Sequence, residues 1–158
     1  MPIYMKYAAL KGDVTAEGHA TWIELNSFQW GVGRGISSPT GASADRESSA
    51  PSVSEIVVTK ASDVASAPLL NESLQGEGVD VTIDFCKTDK GTLEVYQTYT
   101  LGNCMISGFS TSSGGDRPSE SLSLNFTKIE YKLTGMKAAG EAGSPFPVTY
   151  DLAQAKIV

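Results

Sequence analysis

Residues 101–133 read LGNCMISGFSTSSGGDRPSESLSLNFTKIEYKL, and their alternation decides the fold. Leu122, Leu124 and Phe126 alternate with Ser123, Asn125 and Thr127, the period-2 pattern of a strand with one buried face. The phase then slips by one residue, and Ile129, Tyr131 and Leu133 carry the apolar side onward. A slip inside a strand marks a bulge, or a strand that bends from one sheet onto another. Upstream lies a second long strand. The two are joined by Ser112–Glu120 (SSGGDRPSE), where adjacent glycines supply positive φ and Asp116 and Pro118 favour a turn. A lone hairpin is not stable in water, so other strands must pair with it and cover it.

Those strands are legible on either side. Ile3, Met5 and Tyr7 alternate with Tyr4 and Lys6. Trp22–Gly33 (WIELNSFQWGVG) places Ile23 and Leu25 in one phase and Phe28, Trp30 and Val32 in the other, which predicts a second bend near Asn26–Ser27. Val53–Lys60 carries Ile56 and Val58 on one face. Val79–Phe85 (VDVTIDF) alternates most cleanly, with Asp80, Thr82 and Asp84 outward, and Leu93–Leu101 follows as its partner across the turn Lys87–Gly91. After the Ala/Gly-rich, loose stretch Lys137–Pro147, a last short strand holds Phe146, Val148, Tyr150 and Leu152 in one phase. Ala61–Gly76 is the one good helix candidate, with Pro68 suited to a first turn, Gly76 to the position after the end, and Leu70 and Leu74, with Leu69 beside them, as a stripe that could dock. The expectation is an all-β chain of about eight strands with one short helix. Long strands that bend suit a closed or partly closed β-barrel, in a single domain spanning residues 1–158.

Composition narrows the partners. A net charge of −6, with 12 scattered Lys and Arg, argues against nucleic acid or an anionic membrane. Lys6 interrupts the N-terminal apolar positions and no stretch reaches membrane-spanning length, so no conventional signal peptide and no membrane insertion are expected. The chain is therefore expected to fold in the cytoplasm. Two cysteines, Cys86 and Cys104, are too few for a disulfide framework and read as buried thiols. One histidine makes a Cys/His metal site unpromising, and no cofactor is expected.

Enzymatic chemistry finds little support. A catalytic base would have to be His19, which lies in a Gly-flanked stretch and reads as a surface or turn histidine. Asp80 and Asp84 share a strand face as a carboxylate pair would, but outward charges on a half-exposed strand account for them. Gly31–Gly35 (GVGRG) lacks the following helix of a phosphate-binding loop and reads as a strand end with close backbone packing. The long polar segment Gly35–Ser52 is of a length that is functional or disordered inside a compact domain.

Several contiguous blocks carry a resemblance: MPIYMKY at Met1–Tyr7, KGDVTAEGH at Lys11–His19, WIELNSFQWGVGRGISSPTG at Trp22–Gly41, ADRESSAPSVSEIVVTK at Ala44–Lys60 and SGGDRPSESLSLNFTKIEY at Ser113–Tyr131. Together they resemble the haemolysin-coregulated protein (Hcp) family, tube proteins of the bacterial type VI secretion system. The resemblance implies a β-barrel with a flanking helix, closed into a homohexameric ring around a wide channel. It further implies rings stacked into a tube within a contractile sheath on a baseplate, a spike protein at the tip, and effector proteins carried in the channel. Such a tube is expelled from the cell without an N-terminal signal. Two other readings stand beside it: a monomeric sugar- or peptide-binding barrel, and an enzyme dependent on His19.

Two sets of residues become candidates. In the long loop, Ser38, Thr40, Asp45, Arg46, Glu47 and Ser48 project without burying apolar surface, as a ring contact or stacking loop requires. If Phe28 and Trp30 enter the core, Gln29 faces outward, where it would line the channel and touch effectors. A sheath-facing position or a subunit contact is the alternative for Gln29.

Overall fold

The structure, a computed structural model, describes residues 1–37, 49–136 and 142–158, with side chains at all of these except 135, 136 and 142–145. The elements are β1 (Ile3–Tyr7), β2 (Ile23–Leu25), β3 (Ser27–Gln29), β4 (Val32–Gly33), β5 (Ser52–Val53), β6 (Ile56–Ala61), α1 (Ser66–Gln75), β7 (Val79–Asp89), β8 (Thr92–Ser112), β9 (Ser119–Asn125), β10 (Lys128–Met136), β11 (Ala142–Asp151) and β12 (Lys156–Ile157). The chain is mainly β with one short helix. More segments appear than the expected eight because long strands break where they change sheet, and short pairs form at β4–β5 and at β12.

Both predicted bends are present, and both exchange one sheet for another. β2 pairs with β1, and β3, beginning two residues after β2 ends, pairs with β6. β9 pairs with β6 and β8, whereas β10 pairs with β8 and β11. β8 spans both layers, meeting β7 along Thr92–Cys104 and β9 along Met105–Ser112. The ladder therefore runs β2–β1–β7–β8 in one layer and β8–β9–β6–β3 in the other, and its two ends are consecutive pieces of the bent strand. Between the layers lie Met5, Tyr7, Ile23, Leu25, Ile56, Val58, Val81, Ile83, Leu101, Leu122 and Leu124. Each such side chain, fully buried, contributes about 1.5–3 kcal/mol.

Local chemistry explains the ends of these elements. Lys90 and Gly91 have φ of 50° and 79°, and Asp89 pairs with Thr92, so β7 and β8 join through a two-residue turn with both central residues left-handed. β11 starts at Ala142, inside the stretch expected to be loose; residues 137–141 lie outside the described residues. Pro145 and Pro147 are tolerated there because β11 pairs along its length only with β10, and with β12 only at Tyr150 and Asp151.

The helix corrects one expectation. Leu69, not Leu70 or Leu74, is the buried anchor; Leu70 is 43% and Leu74 77% exposed. Ala65 and Leu69, four residues apart, point inward together, and the helix is too short to bury a wider stripe. Gly76 follows the helix as expected, its N–H bonded to the Glu72 carbonyl at 2.8 Å.

One charged cluster sits inside the molecule. Lys60 is fully buried, and its Nζ donates to Glu120 Oε1 at 2.7 Å and to the Ala61 carbonyl at 3.0 Å, and pairs with Asp63 Oδ1 at 2.9 Å. Ser66 and Ser62 hydroxyls donate to the two Glu120 oxygens at 2.8 and 3.2 Å. Burial alone would push the Glu120 carboxyl up, but the Lys60 and serine hydrogen bonds and the ammonium charge together hold it below its ordinary range. The cluster ties β6 and β9 to the start of α1.

Candidate functional site

Gln29 lies where the alternation puts it. Phe28 and Trp30 pack against the core, and Gln29 between them is exposed on the opposite face of β3. Phe28 stacks on Phe85 and Tyr99 at centroid distances of 5.1 and 4.7 Å, and Trp30 meets Tyr99 at 5.6 Å. This aromatic group fixes β3 and hence the direction of Gln29.

Gln29 opens onto a concave recess of about 770 Å³, lined with Trp30, Val57, Glu55, Ser54 and Ser123. Its remaining wall is the small β4–β5 sheet; sequence reading ran β4 into the strand Trp22–Gly33 and Val53 into the strand that follows, and did not foresee that these short ends pair with each other. Gly31 and Gly33 stand in open space, since a Cβ on either would meet no atom within 4 Å; of the stretch Gly31–Gly35 only Gly35 is closely approached, a Cβ there meeting Ser49 Oγ at 3.1 Å. The same small sheet holds together the two arms of the long polar segment, helped by Ser49, whose N–H donates to the Gly35 carbonyl at 2.8 Å. The candidates Ser38, Thr40, Asp45, Arg46, Glu47 and Ser48 lie outside the described residues.

His19 is not a surface histidine. It is only 6% exposed, and its Nε2–H donates to Asp84 Oδ2 at 2.8 Å while Thr98 Oγ1 donates to Asp84 Oδ1 at 2.9 Å. Tyr4 and Trp22 flank the imidazole at centroid distances of 5.1 and 4.6 Å. Asp84 does face away from the core, as its phase requires, but the connector between β1 and β2 folds over it and closes it from water. Asp80 alone of that pair remains exposed, so the two carboxylates do not form a working pair.

Cys86 shares this outer face and approaches His19 Nε2 at 3.9 Å. The geometry works against an activated thiolate. The nitrogen nearest the thiol is already engaged with Asp84, and Nδ1 is buried without a partner. Burial first, and the Asp84 charge second, push the Cys86 thiol up to about 11; burial pushes Cys104 up to about 12. Both cysteines are buried and free, as their number and place in strands led one to expect. Neither is expected to react with iodoacetamide at pH 8 in the native chain, whereas both should be alkylated in guanidinium; mass spectrometry reads the difference.

Among the described residues no group of three metal-ligating side chains converges, and no helix is long and apolar enough to cross a membrane. The fold and this surface define a class: a two-layer β protein with bent strands shared between layers and an open recess at one bend. Solved structures of the same fold include a type six secretion system protein (TM-score 0.90, 24% identity, 99% of each chain covered). Hcp1 from Salmonella typhimurium matches with TM-score 0.75 and 19% identity over 99% of this chain and 98% of that one. A type VI secretion system effector from Yersinia pestis matches with TM-score 0.73 and 22% identity over 94% and 98%. No curated protein matches the sequence. The model of the family described as "Type VI secretion system effector, Hcp" matches residues 4–133. The chain thus belongs to the Hcp family of type VI secretion tube proteins.

Proposed function

We propose that the chain is a single-domain subunit of the inner tube, whose bent strands close a β-barrel and whose barrels close a hexameric ring. The family match over residues 4–133 carries this reading. Rings stack into a tube that bears the spike, lies within the contractile sheath on its baseplate, and is expelled from the bacterial cytoplasm. The role is structural and not catalytic, and effectors travel in the channel. Exposed strand edges support assembly, because unpaired edges are covered in a stable protein and a neighbouring subunit can cover them. Native mass measurement followed by negative-stain imaging tests it. Six chains in an annular particle are expected, and a 16.6 kDa monomer at micromolar concentration would overturn it.

Two finer roles belong to this proposal. The loop bearing Ser38, Thr40, Asp45, Arg46, Glu47 and Ser48 reaches the neighbouring subunit or the next ring. Replacing Thr40–Ala50 with a short Gly-Ser linker should leave a folded barrel that is no longer secreted; undiminished secretion would count against the role. Gln29 lines the channel and contacts cargo. Gln29→Arg should preserve rings and change retention of a channel-carried effector in pull-downs. Loss of rings would move Gln29 to a subunit contact, and unchanged cargo would move it outside.

A further inference from the structure

β11 pairs with β10 without interruption from Asp151, opposite Lys128, to Pro145, opposite Thr134. In an antiparallel strand each residue turns its N–H and C=O to one side, and successive residues alternate. One bond fixes the phase here. The Val158 N–H donates to the Thr149 carbonyl at 2.9 Å, so residue 149 turns its backbone groups away from β10 and towards the last strand. Residues 151, 147 and 145 turn the same way, while 146, 148 and 150 turn towards β10. At residue 151 the outer side is paired as well, with Lys156 opposite Asp151. The next two outward positions, 147 and 145, are prolines, which carry no N–H. The ladder to β10 loses nothing by them, because their nitrogens face outward.

The side chains of this strand give the arrangement its meaning. Phe146 is 72% and Val148 40% exposed, and Ile157 on β12 is open to solvent beside them. A strand with uncovered apolar side chains and a free row of backbone groups is a template on which another chain can pair. β12 is only two residues long, and the turn that brings it back is held by the Gln154 N–H, which donates to Asp151 Oδ1 at 3.2 Å. So short a strand, with Val158 after it, covers residues 151 and 149 and no more. The prolines begin where that cover stops.

We propose that the outer edge of β11 is closed to strand addition: β12 and Val158 occupy the outward positions that carry an N–H, and Pro147 and Pro145 leave the next two with carbonyls alone. Neither an extended peptide nor a second copy of the chain can continue the sheet there, since two carbonyls of the incoming strand would be left without donors. A partner meeting this side of the molecule has carbonyls and side chains to recognise and no ladder to extend. The inference does not rest on the ring. It removes this edge from those available for pairing, whichever surfaces join the subunits.

The test restores both donors, by Pro145→Thr together with Pro147→Thr in the full chain; threonine suits a strand and adds little apolar surface. At micromolar concentration this variant is expected to sediment beyond the wild-type particle and to raise thioflavin T fluorescence about tenfold or more, with Pro147→Thr alone falling between. Hydrogen exchange locates the contact, because the new amides at positions 145 and 147 should be protected in the associated material. A double variant that keeps the wild-type far-UV spectrum yet sediments and stains as wild type overturns the proposal. Association in which both new amides still exchange freely overturns it too, since the contact then lies elsewhere. Should the double variant fail to fold, Pro147→Thr and Pro145→Thr singly carry the same two readouts.

Discussion

Lys60→Ala is expected to destabilise the chain by about 3–5 kcal/mol, the largest effect of any single polar substitution here. Truncation leaves Glu120 and Asp63 buried or nearly so, facing a void with no cation, and the serine hydroxyls cannot replace the ammonium. Lys60→Met with Glu120→Leu removes both charges of the central pair and should recover much of the loss. Urea unfolding of the two variants measures the difference. The pH dependence follows from Glu120, whose folded carboxyl is held below its ordinary range. A depressed carboxyl contributes stability that is complete above the unfolded carboxylate range and is lost as pH falls through the folded value. Wild type should therefore lose stability on the acid side, below about pH 4.5, more steeply than Glu120→Gln. Parallel acid-unfolding curves for the two would refute the assignment.

His19→Ala should cost about 2–3 kcal/mol, by stripping a buried carboxylate of its nitrogen donor. Asp84 would keep only the Thr98 hydroxyl, and Tyr4 and Trp22 would lose the ring between them. The loss should be local before it is global. Amides such as Thr21 and Gly12, which bond to Val14 and Thr21 carbonyls at 2.7 Å, are expected to exchange faster, while those of β9 stay protected. Hydrogen exchange reads the contrast. Asp84→Asn, which keeps an acceptor for the imidazole, should cost less than His19→Ala; the reverse order would show that the carboxylate charge and not the hydrogen bond holds the connector.

The architecture was legible because period-2 alternation survives in every long strand, and both phase slips fell where a strand changes layer. Gln29 was legible for the same reason, since Phe28 and Trp30 are too large to share the wet side. The buried ion pair could have been found. Lys60 continues the phase of Ile56 and Val58, Glu120 that of Leu122 and Leu124, and the register sets them opposite each other. A charge at an inward position was passed over because only its cross-strand partner gives it meaning. His19 and Asp84 were less accessible: phase correctly turned Asp84 away from the core, but phase says nothing of a connector folding back over that face. The choice of Leu69 over Leu70 and Leu74 depended on which side of a ten-residue helix meets β8, a tertiary matter that a weak stripe does not decide.

Strands shared between layers also govern the order in which the molecule can form. β1 lies between β2 and β7, so its second partner arrives only when residues 81–85 have been made. β6 has β3 behind it but waits for residues 119–124 on its other side. A chain halfway through synthesis therefore carries two unsatisfied edges and no complete layer, and pairings this distant in sequence make folding slow. Neither layer can act as a template that the other joins later. Pulse-labelled exchange during refolding should show amides of β1, β7 and β9 gaining protection in one phase; early protection of β1 and β7 alone would break the argument. The chain consequently has only two lasting forms, open chain or finished piece, with no half-built layer able to persist between them.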